Sequence, residues 1–301
     1  MQKFKINIDD ESTRLDKWLK SHCHFTYGLI QKLFRKSDIK VNNKKSSPNY
    51  ELKSGDIVTI YAEINRKPDV SMRQIDKNLY DALLSQIKSS IIFKDENIIA
   101  INKPYDTATQ GGSGIKVSID DVLDGLKFDY EIRPKLVHRL DRYTTGILLL
   151  ARTKQMAELL TNYFRDGLIE KKYLAIVAGS LKDKAGIIKS KIAKAGSDDL
   201  KDAITKYNLL SSNKSLNISL VEFTPITGRT HQIRIHAAKD LNTPIIGDTK
   251  YGSKASLVKE LTKKIHLHSF EMKIKNLLGK NYSIKAEIPD HMQLAIKKLE
   301  K

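Results

Sequence analysis

Cysteine is almost absent from this chain: Cys23 stands alone among 301 residues. A single thiol excludes an intramolecular disulfide and any zinc site built on paired cysteines. No stretch approaches the ~20 apolar residues of a membrane span. The N-terminus, MQKFKINIDDESTR, has no long apolar run and no cleavage site, so it does not read as a signal peptide. A cytoplasmic protein is expected. Internal repeats are missing too. Negative charge is scarce, with 35 Asp and Glu against 53 Lys and Arg, and the formal net charge is +18. Such an excess points to a polyanionic partner, and nucleic acid is the usual one. What remains is ordinary: 40% hydrophobic and 29% charged residues suit a globular protein with a sizeable core.

The length suits one large and one small domain. Residues 1–66 read as a compact, basic α+β module. Leu15, Trp18 and Leu19 share one helical face, with Ser12 as the expected N-cap. Leu29, Ile30, Leu33 and Phe34 mark a second helix, whose other face carries Lys32, Arg35 and Lys36. Short strands follow, punctuated by Asn42-Asn43 and Gly55-Asp56. Residues 67–89 read as a linker with a short helix near Leu79–Ile87. From residue 90 to 301 the chain is strand-rich. It opens with a hairpin around Asp95-Glu96-Asn97 and holds one strong amphipathic helix over Met156–Phe164. The expected class is α+β, with a mixed or antiparallel sheet in the larger domain.

Three places carry candidate chemistry. In VHRLDRYTTGILLLAR, Asp141 stands among His138, Arg139 and Arg142, just ahead of an apolar run. Cations nearby favour a charged carboxylate, a competent nucleophile and a poor general acid. An arbitrary Asp beside Arg is usually a surface ion pair. Here Gly146, Val137 and Leu140 argue for a partly buried acid at a tight approach to the sheet. TPITGRTHQIRIHA gathers Arg229, His231, Gln232, Arg234 and His236. It reads either as a basic helix facing RNA or as a support in which Arg234 pairs with a buried carboxylate. Tyr173, in KKYLAIVAG, is either core or a platform for a stacked base. GGSG at 111–114 lacks the Lys-Ser/Thr of a P-loop and reads as plain loop. The pairs His22-Cys23-His24 and His266-Leu267-His268 have no third ligand set by spacing, so no metal is expected.

HRLDRYTTGILLLAR, KKYLAIVAG, TPITGRTHQIRIHAA and PIIGDTKYG occur in that order. Together they resemble the signature blocks of the large-subunit ribosomal RNA pseudouridine synthases, the family named for its A member. INKPYDTATQGGSG resembles that family's first block, and GGSG with DAITKY resembles its C branch most. Residues 1–66 resemble the small RNA-binding fold of ribosomal protein S-four. Asp106, Gln110 and Tyr143 depart from the family's common glycine, histidine and aspartate.

The resemblance implies a pseudouridine synthase fold and a uridine-to-pseudouridine isomerase acting on large-subunit (23S) rRNA or on assembly intermediates. It implies no cofactor, no membrane and a monomer. Asp141 corresponds to the essential aspartate, Arg234 to its arginine partner, Tyr173 to the tyrosine that stacks on uracil, and Arg139 to an arginine entering the RNA stack. His138, Arg229 and Gln232 are expected at the RNA, and Lys32, Arg35 and Lys36 at phosphates. Two other readings stand beside this one. A non-catalytic rRNA-binding or assembly factor would not need Asp141, Tyr173 and Arg234 together. A hydrolase would need a water-activating partner, and Asp129, Glu131 and Asp166 lack diagnostic spacing.

Overall fold

The computed structural model describes residues 1–23, 25, 27–61, 75–112, 114–193 and 199–299, without the side chains of Asp9 and Tyr27. The chain divides into two compact units, Met1–Asp76 and Lys77–Lys301. No helix among the described residues is long and apolar enough to cross a membrane.

The smaller unit holds β1 (Gln2–Lys5), α1 (Leu15–His22), α2 (Tyr27–Arg35), β2 (Ile39–Val41), β3 (Lys44–Lys45) and β4 (Ile57–Ile60). Its antiparallel sheet has the order β1-β4-β2-β3. Leu15, Trp18 and Leu19 on α1 and Ile30 and Leu33 on α2 are buried against Val41, Val58 and Ile60. Ser12 does not cap α1, which starts after Arg14 without a side-chain cap. Ser12 instead takes a left-handed turn, φ 57°, and its N–H donates to Leu52 O. The cap position is thus lost to a tertiary backbone bond.

The larger unit begins with α3 (Lys77–Ser89), inside the span expected as linker. Leu83 and Ile87 are buried in one cluster with Ile99, Ile101, Ile119 and Val122, so this helix belongs to the larger core. Positions 67–74 of that expected linker lie outside the described residues.

Then come β5 (Ile91–Lys94), β6 (Ile98–Lys103), the short α4 (Ile119–Val122), β7 (Lys135–Leu136) and β8 (Thr145–Ala151). Asp95 Oδ1 accepts from the N–H groups of Asn97 and Ile98 and turns the β5–β6 hairpin. β8 is buried along its whole length, as its apolar run requires. α5 (Lys154–Arg165) starts at Thr153, whose hydroxyl accepts from Met156 N–H. β9 (Ile169–Ala178), β10 (Ala185–Ala193), β11 (Leu200–Asn213) and β12 (Ile218–Pro225) follow. α6 (Gln232–Ile235) runs into a π-helical turn at His236–Asp240. After α7 (Thr249–Gly252), β13 (Leu267–Leu277), β14 (Lys280–Lys285) and α8 (Asp290–Leu299) close the unit.

One ten-stranded sheet has the order β10-β11-β12-β9-β13-β8-β6-β5, with β14 beside β13 and β7 beside β8. Its named pairings are antiparallel apart from β13 with β8, which meet in parallel through His268↔Thr145 and Ser269↔Gly146. This seam joins the two halves of the sheet. Gly146 has φ 103°, and a Cβ there would overlap the Ser269 backbone, so only glycine lets the halves close. β13 is central, yet the sequence reading assigns no strand to it. Its run LHSFEMKIKNL buries His268, Ser269 and Glu271 among apolar residues, which hides the period of two.

Candidate active site

The turn leading into β8 carries Asp141. A segment after β6 clamps that turn on both sides of the acid. Thr109 Oγ1 donates to Leu140 O at 2.8 Å and accepts from Leu140 N–H at 3.3 Å. Lys103, fully buried at the end of β6, donates through Nζ to Pro104 O, Thr107 O and Arg142 O at 3.1, 2.8 and 3.0 Å. Arg142 Nε reaches Asp106 Oδ1 at 2.6 Å. Thr144 N–H donates to Asp141 O and closes the turn. Burial pulls the Lys103 ammonium down to about 7, with the negative Asp141 and Asp106 opposing that shift. Asp106 itself sits at φ 61°, a left-handed position that suits glycine. Its carboxylate gains Arg142 as partner in return.

A second support comes from the chain after β12. Gln232 is buried, and its side-chain amide is fully occupied. Its oxygen accepts from Thr227 Oγ1 at 2.7 Å and Arg229 N–H at 2.9 Å, while its nitrogen donates to Ile204 O at 3.0 Å and Thr205 Oγ1 at 2.9 Å. It fixes the turn from Thr227 to Gln232 and has no group left for RNA, contrary to its expected role. His231 precedes α6 at φ 55°. Thr230 therefore lies outside the helix.

Arg234, on α6, makes a two-pronged bond with Asp248: Nε to Oδ2 at 2.7 Å and Nη2 to Oδ1 at 2.8 Å. Its third nitrogen, Nη1, faces Asp141 Oδ2 at 3.5 Å. Burial works against the guanidinium charge, and the Asp248 bonds more than offset it, so its pKa rises. Asp248 also caps α7, accepting from Tyr251 N–H. Gly247 before it has φ 81°, and a Cβ would overlap the Lys264 carbonyl. The other oxygen of Asp141, Oδ1, lies 3.5 Å from His231 Nε2.

These groups open into one cleft of about 640 Å³, lined by Asp141, Tyr173, Arg139, Arg229, His231 and Arg234 among others. That size falls in the range of small-molecule sites. Tyr173, on β9, stands opposite Ser269 of β13, one strand from the seam. Burial pushes its phenol up to about 12; the Ser269 hydroxyl beside it opposes that shift, and the negative Asp141 adds to it.

Sequence neighbours of Asp141 do not surround it in space. His138 Nε2 accepts from Leu149 N–H at 2.8 Å, and its ring stacks on Phe164 at 4.4 Å. Burial, aided by Lys171, holds it down to about 3, so it is a neutral tie to β8 and not one of the cations. Arg142 turns to Asp106, and Arg139 is exposed at the cleft. Adjacent side chains on a turn diverge, so the groups facing the acid arrive from elsewhere in the chain. Arg229 is exposed at the mouth, with Nε donating to Asp202 O. Lys32, Arg35 and Lys36 are exposed on the smaller unit.

Sequence reasoning gave no role to Lys103, Asp248 or Tyr251, and named His231 only as one member of a basic segment. Asp248 was within a quoted block, and the acid directly after Gly247 was its only local signal. The buried His268 donates or accepts at Thr145 Oγ1, and His266 pairs with Lys264 O. Among the described residues no group of three or more His, Cys, Asp or Glu is placed to hold a metal; His24 lies outside them.

Residues 97–239 match the family model for RNA pseudouridylate synthase. This span holds Asp141, Tyr173 and Arg234, and the chain belongs to that family: it is a pseudouridine synthase, an isomerase. The Rickettsia prowazekii protein named ribosomal large subunit pseudouridine synthase C is 38% identical over 292 residues, covering 92% of this chain and 94% of that protein. The Haemophilus influenzae protein of the same name is 31% identical over 98% of this chain and 94% of its own. Among solved structures, human RNA pseudouridylate synthase domain containing 4 superposes with a TM-score of 0.64 at 28% identity, covering 75% of this chain and 98% of that one.

Proposed function

We propose that the protein converts specific uridines of large-subunit ribosomal RNA to pseudouridine, using Asp141 as its reacting group. The convergence of Asp141, Arg234 and Tyr173 on one cleft carries this reading. The reaction breaks the N1–C1′ bond, turns the uracil and joins C5 to C1′. A proton leaves C5 and N1 gains one, so atoms balance without redox or group transfer. Names of the relatives from Rickettsia and Haemophilus support the large-subunit substrate.

Asp141 attacks from a turn that Lys103 and Thr109 hold rigid, which supplies orientation in advance. Arg234 fixes one carboxylate oxygen while Asp248 fixes Arg234. Tyr173, kept neutral by burial, stacks on the uracil and donates a hydrogen bond. A uridine must leave its stack to present C1′ and C5, and Arg139 at the rim fills the space it vacates. Arg229 and the exposed Lys32, Arg35 and Lys36 meet phosphates, the last three on an S-four-type module that adds affinity with little sequence reading. The protein works as a cytoplasmic monomer on rRNA before the ribosome is complete, when such sites are still open.

Carbodiimide mapping of 23S rRNA from a deletion strain, complemented with the wild-type protein or Asp141→Asn, tests this. Specific pseudouridines should vanish on deletion and return with wild type alone, while Asp141→Asn still binds the RNA within a few-fold. Their return with Asp141→Asn would refute the catalytic assignment. Unchanged rRNA in the deletion strain would refute the substrate.

A further inference from the structure

We propose that His231 is a positioning residue for Asp141, and that the Tyr251 hydroxyl selects the ring tautomer that lets it act. This deepens the reading of the cleft above and rests on it. The two carboxylate oxygens face different partners: Oδ2 has Arg234 Nη1 and Oδ1 has His231 Nε2, each at 3.5 Å. On the far side of the imidazole, Nδ1 lies 2.8 Å from Tyr251 Oη. In the neutral ring only one nitrogen carries a proton. If the phenol donates to Nδ1, the ring proton sits on Nε2 and points at Asp141. The opposite tautomer would turn a lone pair on the carboxylate.

The backbone supports a dedicated role. His231 holds φ 55°, a left-handed conformation uncommon for a residue with a side chain. It keeps that conformation while its carbonyl accepts from Ile235 N–H as α6 begins. The strain aims the ring into the cleft between Asp141 and Tyr251. Tyr251 is itself anchored: its N–H reaches Asp248, and its ring lies 5.2 Å from the Arg234 guanidinium. One short helix, α7, thus tethers the partners of both oxygens, Arg234 through Asp248 and His231 through Tyr251.

The groups facing the ring are Asp141, Arg234, Lys250, Asp248 and Tyr251. Burial lowers its pKa first of all, Asp141 pulls the other way, and Arg234 and Lys250 add to the lowering. The ring is therefore neutral at physiological pH, as the tautomer argument requires. Protonation on acidification keeps Asp141 ionised but gives it a second counter-ion that ties up Oδ1, which slows its attack. Removing the Tyr251 donor removes one interaction that favours the neutral ring, so the acidic limb should move to higher pH.

Single-turnover assays on an rRNA fragment, with Tyr251→Phe, His231→Ala, His231→Gln and the Phe–Gln double variant, test this. Gln places an amide N–H near the Nε2 position and has no tautomer to select. Loss of an orienting partner of this kind is worth on the order of 10–100-fold. His231→Ala should lower kcat by about that factor with KM within about twofold, and His231→Gln should recover most of it. Tyr251→Phe should lower kcat and raise the acidic limb in the wild-type background, yet change little in the His231→Gln background. Equal losses from Tyr251→Phe in both backgrounds would show a merely structural role and overturn the proposal. So would full activity in His231→Ala. Failure of the broader reading looks different: Asp141→Asn would then remain active whatever stands at position 231.

Discussion

Asp248 and Asp141 face the same guanidinium from two different loops of the larger unit. Asp248 is 1% exposed, holds Arg234 through two bonds of 2.7 and 2.8 Å, and caps α7. The Asp141 side chain is 22% exposed, and its partners stand at 3.5 Å on either side. Both are carboxylates beside a cation, but one is tightly bonded and buried and the other is not. A buried carboxylate held by three hydrogen bonds has little access to a substrate, whereas a half-open one with loose partners keeps its oxygens available. On the function proposed above, the loop around Asp248 builds the site and the loop around Asp141 uses it.

The largest effect that follows is chemical. Asp141→Asn should lower product formation by roughly 10⁴-fold or more. Its unfolding free energy in urea should stay within about 1 kcal/mol of wild type, because its contacts are long and partly solvated. A large stability loss would erase the distinction between the two acids. Next, Asp248→Asn leaves Arg234 buried without its charged partner. That should cost about 3–5 kcal/mol of stability, read by the same denaturation, with activity lost as a consequence. A stable Asp248→Asn variant would show that Arg234 relies on Asp141 instead.

A third test uses acid. His138, His266 and His268 are buried neutral, their pKa values pushed down to about 3, 4 and 4 chiefly by burial. Between those values and the ordinary 6.5 the unfolded chain binds more protons than the folded one. Stability should therefore fall as pH drops through that window, and His138→Gln should flatten the fall. If urea midpoints of wild type and variant keep the same slope between about pH 6.5 and 4, His138 is not the buried neutral tie described here. The smallest effect is expected in the smaller unit. Alanine at Lys32, Arg35 and Lys36 should weaken RNA binding and reduce the salt slope by about 0.7–0.9 per lost phosphate contact. An unchanged slope in filter-binding titrations would remove those residues from the interface.

Much of this was legible in the chain. The helical faces of α1, α2 and α5, the β5–β6 hairpin and the buried β8 follow from periodicity and turn chemistry, which are local. Local pattern left Asp141, Tyr173 and Arg234 open between structural and functional readings, and only the family resemblance gave them roles together. β13 was not legible, since buried polar residues interrupt its apolar pattern and one of them, His268, meets its partner Thr145 only across the seam. The helix near Leu79–Ile87 was expected but placed in a linker, because its amphipathic face has meaning only against Ile99, Ile101 and Ile119. His138 and Gln232 were read as RNA contacts because their bonds to Leu149, Thr205 and Ile204 are invisible in one dimension.

The sequence by itself determined the sign of the surface charge, the lack of any cysteine pair and most elements. Those properties depend on composition or on neighbours a few residues apart. Only the tertiary structure decided which groups face Asp141. Arg142 and His138 lie beside it in the chain and turn away, while Arg234 and His231 come from about 90 residues further on. Electrostatic influence falls with distance through space, and the sheet seam at Gly146 sets those distances.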